Sequence, residues 1–314
     1  QHQRVHRAAM TGRGHNASGR MVYYPALHER GMGLLLVRYA EMGLKSPGVR
    51  RYFEKVLTHN MMAALAREKL EAFVESQYGR LFVTTDRPEE AATVLRRVFG
   101  ISSLSPVQEC ASDVQDIRRL ALQVATPLLK DDSTFRVEAR RNGVHPYTSM
   151  QLAAQAGEEI YEANRHRGVR VDLHRPDLVV YVEVRDRRAY VFSEYLDGPG
   201  GLPMGSQGKV VALIGGERDA LAAWMMMKRG CRVLFIVENE EAMRILERWD
   251  PEPRKVNGPA LKAVHANKAF GLVVGWSLDE LEENGTLNAD VPVYHPLIGM
   301  GNEEVERRLK EIKG

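Results

Sequence analysis

The residues best placed to do chemistry sit in one turn. An apolar run, Lys209-Val210-Val211-Ala212-Leu213-Ile214, leads into Gly215-Gly216-Glu217-Arg218-Asp219 and then into a stretch with helical character through Arg229. Glycines between a strand and a helix let backbone amides approach a phosphate, and the helix N-terminus favours the anion. Against this, Glu217 and Asp219 place two carboxylates where a tetra-anion would have to sit. At 4 Å and an effective dielectric of about 20, each such contact costs on the order of 4 kcal/mol. Arg218 offsets part of that charge but cannot hold Mg²⁺. The same glycines suit a plain tight turn, so the turn alone leaves both readings open.

The other reactive groups are sparse. Cys110 and Cys231 form no CxxC pair and have no metal-type spacing. Each reads as a buried structural thiol, and no metal site is expected. So few cysteines fit a reducing cytosol rather than a disulfide scaffold. Two groups of cations stand out: Lys45, Arg50 and Arg51, then Arg136, Arg140 and Arg141. Such clusters neutralise RNA phosphates with little sequence information. They also describe an ordinary solvated face, which Glu54 and Glu138 dilute. Tyr78 and Tyr147 are of the type that stacks on unpaired bases or simply packs.

The elements that must hold these residues follow from pattern. The chain has 314 residues, 44% hydrophobic and 27% charged, with a net charge of +3. That is enough for two or three globular domains, and too mild a charge to point to nucleic acid by itself. There is no apolar run of 18 residues and no signal-peptide core, so a cytoplasmic protein without a membrane span is expected. Residues 1–31 hold five arginines, four histidines and one acid, with no period, and read as a basic irregular extension. They are either an arm on RNA or a segment without function. Met32 precedes the first strand-like run, Gly33 to Tyr39. Arg50 to Leu70 has helical spacing, and Gly79 to Thr84 reads as a strand. Asp86 with Glu89 makes a capping-box pattern, Gly100 a helix stop, and Ile101 to Glu109 a further strand. That order suggests a ferredoxin-like unit.

A second α/β unit follows. Asp113 to Leu129 has helical spacing, and Phe135 to Arg141 alternates strictly. Thr148 and Gln151 open a helix, and Val169 to Leu173, Leu178 to Val184 and Ala189 to Tyr195 read as strands. Gly198 to Gly205 is rich in glycine and proline and marks a boundary. Beyond it, Lys209 to Ile214, Cys231 to Val237 and Phe270 to Gly275 are apolar strands alternating with helices, the pattern of a parallel sheet.

Several of these stretches resemble one family. Leu36-Val37-Arg38-Tyr39-Ala40-Glu41 with Lys45 and Arg50-Arg51-Tyr52-Phe53-Glu54 is similar to the N-terminal ferredoxin-like domain of ThiI-type tRNA 4-thiouridine sulfurtransferases. Phe135 to Arg141, Val171-Asp172-Leu173 and Pro176-Asp177 resemble a THUMP domain. Gly200 to Lys209, Met225 to Gly230 and Pro292 to Met300 resemble the family's PP-loop domain. The resemblance implies an α/β fold in three domains, 32–109, 110–197 and 198–314. It also implies tRNA as partner, bound through the first two domains, and a homodimer. The family's Ser-Gly-Gly-x-Asp-Ser is read here as Ile214-Gly215-Gly216-Glu217-Arg218-Asp219. Gly275-Trp276-Ser277-Leu278-Asp279-Glu280 stands for its Gly-Glu-Ser-x-Gly-Gln. The expectation is therefore a vestigial nucleotide pocket formed by Ile214, Gly215, Gly216, Arg218, Asp219, Leu234, Phe235 and Gly275. It has no catalytic residue and no cofactor. The alternative is an active sulfurtransferase in which Glu217, Asp219 or Asp279 binds Mg²⁺ and so recruits ATP. Neither cysteine matches the family's catalytic cysteine, and no rhodanese domain follows.

Overall fold

The structure is a computed structural model that describes residues 32–39, 46–77, 79–285 and 289–314. The extension 1–31, Lys45 and Tyr78 lie outside the described residues. The chain folds as α/β, with a mixed sheet followed by a parallel one.

The first unit comprises β1 (Gly33–Tyr39), α1 (Pro47–Arg67), β2 (Ala72–Gln77), β3 (Arg80–Thr85), α2 (Pro88–Leu95) and β4 (Ile101–Ala111). Helix α1 starts three residues earlier than its spacing predicts, because Pro47 has the fixed φ that suits a first helical position. It buries Phe53, Leu57, Met61, Ala64 and Leu65 as one stripe. The Asp86/Glu89 capping box does not form. Arg87 takes the cap position without a side-chain bond, and Pro88 sets the start of α2. Strand β2 escapes sequence reading because its apolar residues, Phe73 and Val74, are adjacent rather than alternating. It is an edge strand that pairs only with β3.

The second unit contains α3 (Val114–Ala125), β5 (Thr134–Asn142), α4 (Ser149–Asn164), β6 (Arg170–Val171), β7 (Leu178–Arg185), β8 (Arg188–Phe192) and β9 (Leu196–Asp197). Here the caps follow the sequence: Asp113 accepts from the Gln115 amide, and Thr148 forms a full capping box with Gln151. Strand β4 joins the two units. Its first part pairs with β1, and Gln108–Ala111 pair with β8, so one sheet runs β2-β3-β1-β4-β8-β7-β5-β6, with β9 against β4.

The third unit contains β10 (Lys209–Ile214), α5 (Glu217–Lys228), β11 (Arg232–Val237), α6 (Glu240–Glu247), β12 (Arg254–Lys255), α7 (Ala260–Ala266), β13 (Leu272–Val273), α8 (Leu278–Asn284), β14 (Val293–Tyr294) and α9 (Asn302–Lys313). Its five strands are all parallel, in the order β12-β11-β10-β13-β14. The near-continuous apolar strands are buried on both faces. Val210, Ala212 and Ile214 pack with α5, α6 and α9, and Val211 packs with α7. The chain builds outward from β10 through β11 to β12, then returns to place β13 on the other side of β10. That reversal puts the topological switch point between β10 and β13.

The glycine-rich stretch before β10 is pinned at both ends. The Gly200 amide donates to Ile101 O, the Leu202 amide to Lys228 O, and the Gly205 amide to Gly230 O. A Cβ on Gly198 would lie 2.4 Å from Ile101 O, so only glycine allows that approach. Phe99 of the first unit packs into the third unit's core against Trp224 and Trp249.

Candidate functional site

In open parallel sheets, ligands bind beyond the carboxyl ends of the strands at the switch point. Two turns meet there: Gly215-Gly216 after β10 and Val274-Gly275-Trp276 after β13. Asp219, in the first turn of α5, fills the space between them. Its Oδ2 accepts from the Gly215 amide at 3.1 Å and the Gly216 amide at 3.0 Å; its Oδ1 accepts from the Gly275 amide at 2.8 Å. Charge-assisted bonds of this kind contribute about 1.5–3 kcal/mol each, and the position at a helix N-terminus adds to them. Burial pushes the Asp219 carboxyl up, the three amides pull it back, and the balance stays above the ordinary aspartate value. Gly275 is required by contact: a Cβ there would lie 2.6 Å from the Arg218 carbonyl carbon and the Asp219 amide nitrogen. Gly216 is extended and open, so nothing in the fold demands glycine at that position.

Of the turn's remaining charges, Glu217 leaves the crevice and Arg218 stays beside it, its Nε 3.5 Å from Gly275 O. Glu217 points to α9 and pairs with Lys313 at 2.6 Å. Arg218 donates to Asn302 Oδ1 at 3.3 Å and lies 3.9 Å from Glu280. Glu280 caps α8, accepting from the Ser277 amide at 2.7 Å, which with Arg218 holds its carboxyl below the usual glutamate range. Ile214 is fully buried in the core under the turn. Leu234 and Phe235 are paired mid-strand with Val211 and Ala212, and their side chains fill cores on opposite faces of the sheet. The structure thus brings Gly215, Gly216, Arg218, Asp219 and Gly275 together and leaves Leu234 and Phe235 beneath them. Trp276 and His295 extend the rim as a tilted ring pair with centroids 5.8 Å apart. Among the described residues no group of three or more His, Cys, Asp or Glu gathers to hold a metal ion.

The cations predicted to meet RNA differ in availability. Arg51 near the start of α1, and Arg140 and Arg141 at the end of β5, are exposed; Arg50 is half-buried. Arg136 is engaged, pairing with Glu138 and donating to Leu173 O at 2.8 Å. Tyr147 is 6% exposed and donates to Ser112 O, so it packs rather than offering a stacking face. The run Arg165-His166-Arg167-Gly168-Val169-Arg170, which local reading passed over, flanks and enters edge strand β6 beside β5. Its signal was four basic residues in six. Arg167 is consumed structurally by Leu129 O and Asp131, while Arg165 and Arg170 are exposed.

A further charged cluster was not legible in sequence. Glu183 on β7, 5% exposed, accepts from Arg38 on β1, Arg80 on β3 and Arg185 on its own strand. Arg38 also stacks over Phe192 and Tyr195. Burial alone would raise the Glu183 carboxyl, but the three guanidinium groups outweigh it and hold it below the ordinary value. The cysteines behave as packing residues. Burial pushes the Cys110 thiol up to about 12, and burial also raises Cys231 against the pull of Arg229. A reactive thiol needs the opposite shift.

Comparison with known proteins now gives the lineage. The ThiI ferredoxin-like domain model matches residues 34–105, the THUMP domain model 111–194, and the model described as thiamine biosynthesis protein (ThiI) 205–249. A protein of Methanocaldococcus jannaschii named "Probable tRNA sulfurtransferase" is 39% identical over 88% of this chain and 87% of its own. One of the same name from Thermococcus kodakarensis is 33% identical over 89% and 87%. This chain belongs to the tRNA sulfurtransferase family. Among solved structures, PH1313 from Pyrococcus horikoshii superposes with a TM-score of 0.78 at 30% identity, covering 89% of this chain and 99% of that one. A 4-thiouridine synthetase in complex with RNA and with bound ATP superposes with a TM-score of 0.75, covering 90% and 85%. At 23% identity it speaks for the shared fold alone. Among the described residues no helix is long and apolar enough to cross a membrane.

Proposed function

We propose that this member of the sulfurtransferase family binds tRNA and acts in tRNA thiouridine formation without the ATP-dependent adenylation site its relatives' motif provides. One observation carries the reading. The Asp219 carboxylate already occupies the amides of Gly215, Gly216 and Gly275, the donors a pyrophosphate would need. The residues present do not fit ATP: its phosphates would have to displace an internal anion, and Ile214 and Arg218 supply neither the hydroxyl nor the carboxylate of the family motif. No adenylation step is therefore routed through the crevice. tRNA as partner is supported by the THUMP domain and by Arg51, Arg140 and Arg141, whose exposed guanidinium groups lie on the two N-terminal units. A homodimer is part of the same reading.

Titrating one preparation with ATP and with tRNA by calorimetry tests it. The expected result is tRNA binding that weakens steeply with salt and no heat with ATP–Mg²⁺. Salt-insensitive or absent tRNA binding overturns the reading.

The active-enzyme alternative is favoured by the retained Gly215-Gly216 turn at the switch point, opposite Gly275. It predicts that ATP, tRNA and sulfide give pyrophosphate, AMP and thiolated tRNA, and it fails if no turnover occurs across metals and pH.

A further inference from the structure

The sheet shared by the first two units does not lie flat. Strands β1 and β7 are three steps apart in its order, about 14 Å in a flat sheet. Through the register, Arg38 lies level with Ser103 on β4 and Glu183 level with Glu109, six residues on, or about 20 Å along the strand. Yet Arg38 Nη2 and Glu183 Oε2 are 3.2 Å apart. The sheet therefore folds toward this face at β4, where the pairing partner changes from β1 to β8.

Inside the fold lies an apolar cluster drawn from both units: Leu36 and Phe82 of the first, Tyr190 and Phe192 of the second, and Val107 of β4. The Phe82 and Tyr190 rings are 4.8 Å apart. Glu183 closes the same face electrostatically. Its Oε2 accepts from Arg38, and its Oε1 from Arg80 Nε at 3.1 Å and Arg185 Nε at 2.7 Å. Without that carboxylate, three converging guanidinium groups, two from one unit and one from the other, repel one another.

The network stands between the two exposed cation groups. Arg140 is the register partner of Glu183 on β5. Arg50, beside Arg51 near the start of α1, acts together with Arg80 on the Tyr39 hydroxyl. The spacing and angle between Arg51 and the pair Arg140 and Arg141 are therefore set by the closure at Glu183. An RNA helix is read by its shape and its phosphates. Two patches gain from acting together, on the order of 10²–10⁴ in affinity, and lose that gain where the geometry forbids both.

Resting on the tRNA-binding reading above, we propose that Glu183 is a positioning residue for tRNA: it holds the two units at the angle where one RNA helix meets Arg51 on the first and Arg140 and Arg141 on the second. Its own carboxylate is buried and does not contact the RNA. The sign of its effect separates this role from others. An acid close to RNA repels phosphate, so losing its charge alone would tighten binding. A residue that only stabilised the fold would leave the affinity of folded protein unchanged. A positioning residue loses affinity when neutralised.

The test is the anisotropy of labelled unfractionated tRNA, read across salt, with wild type, Glu183→Gln, Arg51→Gln and the double variant, each below its melting transition by circular dichroism. Glu183→Gln is expected to bind at least about tenfold more weakly. Arg51→Gln should lower the log–log salt slope by about one in the wild-type background and by less beside Glu183→Gln, where the RNA no longer meets both patches. Phe82→Leu loosens the apolar side of the junction with no change of charge, and Phe82 is too buried to touch RNA. Its affinity should fall too, and it decides the outcome if Glu183→Gln does not fold. Unchanged or tighter binding by folded Glu183→Gln, or by Phe82→Leu in its place, overturns the role. So does an Arg51→Gln effect of equal size in both backgrounds. If wild type binds no tRNA, the proposed function falls and this role with it; if wild type binds and the junction variants match it, only this role falls.

Discussion

Two carboxylates, the buried Glu183 and the half-buried Asp219, mark the two halves of the molecule, and their donors differ in kind. Glu183 joins the ferredoxin-like and THUMP units through three guanidinium groups, two of them on the other unit. Asp219 joins the two turns of the PP-loop crevice through three backbone amides. Side-chain cations bring their own charge and, once paired, form a fixed junction. Backbone amides at a helix N-terminus are a ready-made anion site, so an acid placed on them competes with any ligand. The same kind of acid is thus held by side-chain cations in one region and by backbone amides in the other, and their shifts have opposite signs.

The largest effect is expected at the junction: Glu183→Ala strands three guanidinium groups and should cost about 3–5 kcal/mol in chemical denaturation. A loss within about 0.5 kcal/mol would show that the units are held by β4 alone. At the crevice, Asp219→Ser should leave the fold intact and free the amides. Combined with Ile214→Ser and Arg218→Asp, it should bring ATP–Mg²⁺ binding into calorimetric range, a gain of at least tenfold or about 1.4 kcal/mol. If the triple variant binds no better than wild type, Asp219 is not what closes the site.

pH separates the two acids. Glu183 titrates below its ordinary 4.5 in the fold, so its contribution is full above that value and is lost as pH falls through the folded one. The stability gap between wild type and Glu183→Gln should therefore shrink on acidification. Asp219 titrates above its ordinary 3.8, so the fold favours its protonated form, and wild type should gain on Asp219→Asn as pH falls through that raised value. Gaps that move in the same direction would refute the contrast. Smaller effects belong to the surface. Arg140→Gln should lower the salt slope of tRNA binding by about one. Lys313→Met, which removes the partner of the exposed Glu217, should change stability by less than about 1 kcal/mol.

Much of the architecture was legible locally. The apolar strands of the third unit, the Thr148/Gln151 cap and the alternation of Phe135 to Arg141 follow from periodicity and turn chemistry. Strand β2 and the start of α2 did not, because an edge strand needs little alternation and Pro88 overrode a plausible cap. Within the crevice, Gly215, Gly216, Asp219 and Gly275 could be named from the sequence, and they do meet. Reading the turn's two acids as equivalent was the limit. One faces α9 and the other lies on the amides, and only the helix geometry separates them.

Which groups each segment carries follows from residue order alone: two glycines, an acid in the first helical turn, and arginines along β1 and β3. The tertiary structure decided which of them meet. Asp219 reaches Gly275 across 56 positions, and Glu183 reaches Arg38 across 145. Hydrogen bonds and desolvation act over a few ångströms of space, whatever the distance along the chain. Periodicity fixes a residue's face on its own element, and only the packing of elements fixes what that face meets.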